Sequence, residues 1–403
     1  MSRDKALNPE RIYLTVGYPA FTRLFVGDIS LARSHTKHLP TGRLRLIPMK
    51  TIGTLDETRL ALIPSKHWKA HEFCFFLHDS LVQLLIEYES SGAHNWVTEA
   101  FRSVAAERGV EGDEIDMLSF MKEHNLVEPY RHHLVSHLVL ALTSDLLHFL
   151  YEALSCFEKR KFSVAFSLLR KPFKENLLFL CWLLGNEDDF LERFAANNYQ
   201  TLNGVGAEKQ VEILADAIKR LATADAFDAS LIRDVIYSKS HGSGFEPIWQ
   251  RATHLITSQG ELLKTEDYTI NFVFENPAAD HNFDLLYSKL PYLLIFVTQV
   301  TLECFGLILK VNERTLSHLV ISTMGCYEAL FLRSRTQPIA RMLNKSLKPF
   351  LKCIHCEAPL RIDRYNAPTL YLAEHMKCKS CGLISQVPLY WLFCIAKVSI
   401  NRD

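Results

Sequence analysis

The sequence predicts a mainly α-helical protein. A helical bundle is expected over residues 66–326, preceded by an irregular N-terminal segment (1–65) and followed by a basic connector (327–352) and a small β module (353–403). Three observations carry this expectation. Between 66 and 326, apolar residues recur near helical period in long runs separated by short polar joints. Glycine and proline are scarce, 16 and 15 of 403 residues, which excludes collagen-like and low-complexity chains. Two Cys-x-x-Cys pairs fall in the C-terminal segment.

Composition narrows the class further. Hydrophobic residues make up 48% and charged residues 22%, ordinary for a folded chain, so wholesale disorder is excluded. The length suits two or three domains. With 45 basic and 45 acidic side chains, a uniformly basic protein is excluded, though not a local basic patch. The opening MSRDKALNPERIYLTVG has no apolar core and no small-residue cleavage site. No secretory signal is therefore expected, and the chain reads as cytoplasmic.

Within 1–65 the chain offers only short strand-like pieces. Arg43–Ile47 alternates polar and apolar before Pro48, and Leu60–Ile63 ends at Pro64. The bundle then opens with His71–Tyr88, whose Phe73, Phe76, Leu77, Leu81, Leu84 and Leu85 share one helical face. A long helix is expected over Glu128–Lys159 and another over Lys161–Leu184. The second contains Pro172, which predicts a kink or break near Ser167–Leu168. Gly185-Asn186 ends that run, and Glu187-Asp188-Asp189 opens the next helix with acids at its positive end. Further helices are expected at Ala207–Ala222, Ala229–Tyr237, Glu246–Gly260 and Pro291–Lys310, with Pro291 in a first turn. Leu290–Leu309 is long enough to span a bilayer, but it carries Gln299 and Glu303; a buried bundle helix is the expected reading, and no other segment comes as close to a span.

The strongest motif is Cys353-Ile-His-Cys356 followed, 21 residues on, by Cys378-Lys-Ser-Cys381. Two such knuckles at this separation match a four-cysteine zinc ribbon. Gly382 suits the turn after the second pair. Four thiolates fill a tetrahedral sphere and leave no position for water, so Zn²⁺ here is expected to be structural. His355 and His375 lie beside the site but are not needed as ligands. Leu360–Asp363 and Thr369–Ala373 alternate like short strands, and Leu383–Val398 can supply more. The other six cysteines (Cys74, Cys156, Cys181, Cys304, Cys326 and Cys394) lie in apolar runs and are expected as buried thiols.

From 333 to 403 there are twelve basic and four acidic residues, so the preceding chain is net acidic. The basic module could follow a phosphate backbone. Tyr365, Tyr371, Tyr390 and Trp391 could stack on bases or could simply fill a small core.

Two stretches of the helical region carry a resemblance. Phe166-Ser-Leu-Leu-Arg-Lys-Pro-Phe-Lys-Glu-Asn-Leu177 holds an LLR triplet, with Glu175 five positions after Arg170. Arg233-Asp-Val-Ile-Tyr-Ser-Lys-Ser-His-Gly242 holds an S-x-x-H-G-like end. Both resemble stretches of bacterial proteins of the HEPN superfamily. The resemblance implies a HEPN-like bundle over 66–326, commonly dimeric, and a metal-independent endoribonuclease or RNA-binding effector of bacterial antiviral defence, with a partner protein from the same operon. It implies His241 as general acid or base, Arg233 as the group that stabilises phosphorane charge, and Asp234 as its polar follower. The family's spacer between Arg and His is shorter than the seven residues found here. On an ideal helix the two would sit about 80° and about 12 Å apart, so they converge only if the helix ends early, at Gly242-Ser-Gly244.

Each of these residues has a second reading. His241 could cap its helix or bond Tyr237. Arg170 and Glu175 could form an ion pair between helices, or Glu175 could orient His241 or Arg233. His133, His137 and His148 on one helix, and His67 with His71, read as polar stripes rather than metal faces. The whole helical domain could be a non-catalytic HEPN-like scaffold or a nucleotide sensor, with the ribbon mediating protein contacts or dimerisation. The expected partners are RNA or another nucleic acid and a second copy of the chain, with no membrane. No phosphate loop, GxSxG, Rossmann or kinase signature is present.

Overall fold

The computed structural model describes residues 13–14, 51–109, 116–196, 204–240, 244–257, 265–271, 280–332 and 337–400. The helices in chain order are α1 (Glu57–Leu60), α2 (Trp68–Ser91), α3 (Asn95–Glu107), α4 (Met117–Glu123), α5 (Val127–Glu158), α6 (Phe162–Lys171), α7 (Leu177–Gly185) and α8 (Glu187–Ala195). They continue with α9 (Ala207–Ile218), α10 (Ala229–Tyr237), α11 (Glu246–Thr253), α12 (His281–Ile308), α13 (Glu313–Phe331), α14 (Pro338–Ser346), α15 (Ala367–Ala373) and α16 (Leu389–Ala396). Strand β1 (Tyr13–Leu14) pairs in parallel with β2 (Lys310–Val311), and β3 (His375–Lys377) pairs antiparallel with β4 (Ile384–Gln386). The protein is mainly α, as the sequence predicts.

Helix α12 is the centre of the bundle and packs on α2, α5, α7 and α13. It buries Leu290, Leu293, Phe296, Val297, Val300 and Phe305 almost completely. It starts at His281, so Pro291 lies inside the helix and not in its first turn. Helices α5 and α12 are both long and apolar enough to cross a membrane; the most apolar window is 78% buried in α12 and 44% in α5. Helix α5 therefore meets the same test as α12, although the sequence pattern singles out only Leu290–Leu309. Polar residues at His132, His133 and His137 interrupt its apolar run early and obscure the signal.

Side-chain caps set several helix starts. Asp116, Asn186, Asp228 and Asn312 each cap a helix N-terminus with a side-chain oxygen. No break occurs at Ser167–Leu168. The chain passes from α6 through one π-helical turn (Pro172–Asn176) directly into α7. The wide turn accommodates both the missing amide of Pro172 and its ring, so the helix is bulged and not broken. Helix α11 ends at Thr253, short of the expected Gly260, because the Asn271 side-chain amide takes up the His254 carbonyl at 2.8 Å.

The segment 51–63 is strapped to the bundle. The buried Glu72 carboxylate accepts from the amides of Ile52 (2.6 Å), Gly53 (2.7 Å) and Thr54 (3.0 Å). Arg59 pairs with Glu158 at 2.6 Å. Leu60 ends helix α1, so the strand expected at Leu60–Ile63 does not form; the strand expected at Arg43–Ile47 lies outside the described residues. Of the six non-motif cysteines, Cys74, Cys181, Cys304 and Cys326 are buried, whereas Cys156 and Cys394 are only half-buried.

Candidate metal centre and the motif helices

The C-terminal module is built on two turns with the same hydrogen-bond plan. In the first, the Cys353 amide donates to Ala358 O (2.9 Å) and the Glu357 amide to Cys353 O (2.9 Å). In the second, the Cys378 amide donates to Leu383 O (2.8 Å) and the Gly382 amide to Cys378 O (3.0 Å). The residue after each pair is left-handed, Glu357 at φ 56° and Gly382 at φ 76°. Strand β3 leads into the second turn and β4 leads out of it, which returns the chain across the first.

This plan gathers four sulphurs. All four Sγ atoms lie within 4.8 Å of one another. Cys353 and Cys381 are 3.6 Å apart, and Cys356 and Cys378 are 3.7 Å apart, so the close pairs cross between the turns. A metal held by four thiolates at about 2.3 Å requires sulphurs about 3.8 Å apart. The two close pairs match that spacing, so the four cysteines can hold a metal ion. Cys353 and Cys378 are buried, while Cys356 and Cys381 face outward.

The electrostatics agree with a cation between them. The Ser385 hydroxyl, fully buried, donates to Cys353 Sγ at 3.4 Å. Together with the amides of His355 and Cys356 it brings the Cys353 thiol down to about 6. The Cys381 and Ser380 amides lower the Cys378 thiol. The Leu383 amide favours a thiolate at Cys381, but desolvation and the three neighbouring sulphurs outweigh it and push that thiol up to about 12. Two negative sulphurs are welcome here, and more require a positive ion. His355 is directed elsewhere, donating Nε2–H to Ile384 O at 3.1 Å, and His375 is exposed on β3.

The ribbon is not all β. Thr369–Ala373 lies in α15, and Leu389–Ala396 of the tail forms α16. A five-residue apolar run fits either period; Pro368 in the first turn and packing against α13 decide for helix. The four candidate stacking rings divide. Tyr371 is buried against α13, and burial pushes its phenol well up. Tyr390 is half-buried beside His318. Tyr365 is 71% exposed and Trp391 55% exposed.

Helix α13 seats the module. Gly325 lies so near Tyr371 that an added Cβ would be 2.6 Å from its Cζ. The Glu328 carboxylate receives the Ile339 (2.9 Å) and Ala340 (3.4 Å) amides at the start of α14. The Ser317 hydroxyl receives the Ile400 amide at 3.1 Å.

The two motif stretches meet in the bundle. Arg170 lies in the last turn of α6, Glu175 in the π turn, and Arg233 and Asp234 on α10. The Tyr237 hydroxyl donates to the Lys174 carbonyl at 2.8 Å. The Lys174 ammonium pairs with Glu246 at 2.9 Å, and Gln250 donates to the other Glu246 oxygen at 2.8 Å. Arg233 bonds Asp234 at 2.9 Å through one nitrogen, while its Nε is buried without a partner. Among the described residues no ion pair joins Glu175 to Arg170 or Arg233. His241 and Gly242 lie outside the described residues.

Other histidines have structural partners. His71 receives the Tyr287 hydroxyl (2.6 Å) and donates to Glu158 (3.1 Å), and His67 bonds Asp284 (2.7 Å). His148 lines a surface cleft of about 460 Å³ with His78, Ser144, Tyr151 and Glu152. Among the described residues the only cluster suited to a metal is the four cysteines. Sequence reasoning missed Lys174, Glu246 and Ser385. The first two are partners 72 positions apart, and Ser385 reaches its sulphur across 32 positions, so no local pattern marks any of them. No protein-family model matches this chain, and no curated protein or solved structure matches it either.

Proposed function

We propose that this chain is a HEPN-type, metal-independent endoribonuclease with a structural zinc ribbon, acting in bacterial antiviral defence as a homodimer. The observation that carries the reading is the meeting of the two motif stretches, Tyr237 hydroxyl on Lys174 carbonyl at 2.8 Å. It sets α10, the helix that carries Arg233, against the π turn that follows Arg170. RNA carries its own nucleophile, the 2′-hydroxyl. His241 takes the proton from that hydroxyl or returns one to the leaving 5′-oxygen, and Arg233 offsets the charge on the phosphorane-like transition state. The products are a 2′,3′-cyclic phosphate and a free 5′-hydroxyl. Zn²⁺ fits the four sulphurs better than other common ions because it favours tetrahedral thiolate coordination.

The test uses zinc-loaded protein without added divalent ions. Cleavage of single-stranded RNA to cyclic-phosphate ends, abolished in His241→Ala and reduced about a hundredfold or more in Arg233→Ala, supports the reading. Wild type that is as inert as His241→Ala overturns it. One observation favours the non-catalytic scaffold as second reading: Arg233 is already engaged by Asp234, and Lys174 by Glu246. A partner protein captured equally by wild type and His241→Ala, with no cleavage by either, is the result that scaffold predicts.

A further inference from the structure

The basic residues of the C-terminal module are not spread evenly. Residues 337–400 hold nine Lys or Arg and three Asp or Glu. Two of the three acids serve the fold. Asp363 receives Lys379 (2.8 Å) and the amides of Tyr365 (2.9 Å) and Asn366 (3.2 Å). Glu374 receives the Leu389 amide at 3.0 Å.

Hydrogen bonds stitch the basic segments of this module together. Asn344 of α14 and Ile362 exchange two hydrogen bonds, the Asn344 side chain donating to Ile362 O (2.8 Å) and accepting from Ile362 N (2.9 Å). This fastens α14 to the loop 361–365. Arg341 and Lys345 flank Asn344 on the helix, three positions before and one after. Arg361 and Arg364 lie in the loop, and Asp363 anchors both Lys379 and the Tyr365 backbone beside them. All these cations are exposed, and among the described residues no carboxylate pairs with Arg341, Lys345, Arg361 or Arg364. Next to Arg364 in the same loop, the Tyr365 ring is 71% exposed.

We propose that this face grips single-stranded RNA, with phosphates on Arg341, Lys345, Arg361 and Arg364 and one base stacked on Tyr365. The inference rests on the reading above that RNA is the ligand. Unpaired cations on a rigid frame attract a polyanion, since each phosphate contact releases condensed counterions. A flat exposed ring among them adds a stacking platform that only an unpaired base can use. Asp363 acts here as a positioning residue, holding loop and knuckle in register.

The test is fluorescence anisotropy of a labelled oligouridine of about twelve nucleotides, titrated with zinc-loaded His241→Ala chain between about 50 and 300 mM salt. The triple variant Arg341→Gln, Arg361→Gln, Arg364→Gln should make the slope of log affinity against log salt shallower by about 2. Tyr365→Ala should weaken binding at least about fivefold, and Tyr365→Phe should retain it. These side chains are exposed, so helix content and metal content should be unchanged in every variant. If His241→Ala chain binds no oligouridine even at low salt, the RNA reading falls and this inference with it. If it binds and the triple variant keeps the parent slope, this face is overturned while the nuclease reading stands. If polyglutamate of matched charge displaces the RNA equally well and Tyr365→Ala changes nothing, the face suits an acidic polypeptide and the proposal is overturned. If the variants behave as expected but wild type cuts no RNA, the gripping face is supported and the nuclease reading alone is lost.

Discussion

The Ser385 hydroxyl donates to Cys353 Sγ at 3.4 Å and receives the Ile354 amide at 3.4 Å. One fully buried oxygen thus ties β4 to the first knuckle and supports a ligand sulphur. Outer contacts of this kind orient the ligand and tune its charge.

Ser385→Ala should therefore weaken metal binding about 10- to 100-fold, with the four cysteines intact. Competition with a chromogenic chelator measures this. Ser385→Thr retains the hydroxyl and should recover part of the affinity. An affinity unchanged in Ser385→Ala would mean that the sulphur cage alone sets metal retention.

Gly325→Ala should loosen the module from the bundle. The new Cβ would meet Tyr371 Cζ at 2.6 Å, inside contact distance, and both residues are buried. Overpacking of this kind costs about 1–3 kcal/mol. The loss should appear as a lower thermal midpoint and faster proteolysis between α13 and α14. Tyr371→Leu in the Gly325→Ala background removes the opposing ring and should restore part of the stability.

These two sites differ in how far they can be seen in the chain. The cysteine pairs are legible because one ion imposes the spacing within each knuckle. Ser385 is not, because its contact spans 32 positions and a lone serine in a strand carries no pattern. The bundle is legible in helices such as α2 and α10, where apolar period and caps coincide. The start of α12 is not, since His281-Asn-Phe-Asp reads as polar joint and only tertiary burial of Asn282 and Phe283 makes it helix. The pairing of Lys174 with Glu246 belongs to the fold alone. The helix–strand ambiguity at Thr369–Ala373 is intrinsic to short apolar runs and is decided by α13.

Stability should fall with acid through His318. Its ring is half-buried against Tyr390 and Phe393, and the loss of hydration outweighs the Glu374 carboxylate 3.9 Å from Nε2 and pulls it down to about 4. Unfolding lets the ring take a proton near its ordinary value of 6.5. The unfolded chain thus binds more protons between those values, and stability is full above about pH 6.5 and declines as pH falls toward 4. A shift of this size corresponds to roughly 3 kcal/mol over the window. His318→Phe should flatten the slope of unfolding free energy against pH from 6.5 to 4. An unchanged slope would assign the acid sensitivity to other groups.

Glu357→Gly should stabilise the module. Glu357 and Gly382 hold equivalent positions in their turns, both left-handed, yet only one is glycine. A left-handed side-chain-bearing residue costs about 1–2 kcal/mol, part of which glycine gives back as chain entropy in the unfolded state. The net gain should be about 1 kcal/mol at constant metal, read as a higher thermal midpoint.

Metal removal should separate the two parts of the chain. The knuckles are held by short hydrogen bonds and two three-residue strands, too little to fix four sulphurs at ligand spacing without a cation. The bundle needs no ion, since α12 lies among the apolar faces of α2, α5 and α7. One equivalent of metal per chain should be released by a strong chelator under mild denaturant, with loss of the near-ultraviolet signals of Tyr371 and Trp391. Most far-ultraviolet helix signal should persist. Cys378→Ser should reproduce this state without chelator, because the missing ligand opens the cage. A chelated chain that keeps the module's aromatic signals and its protease resistance would show that α13 packing, and not the ion, holds the ribbon together.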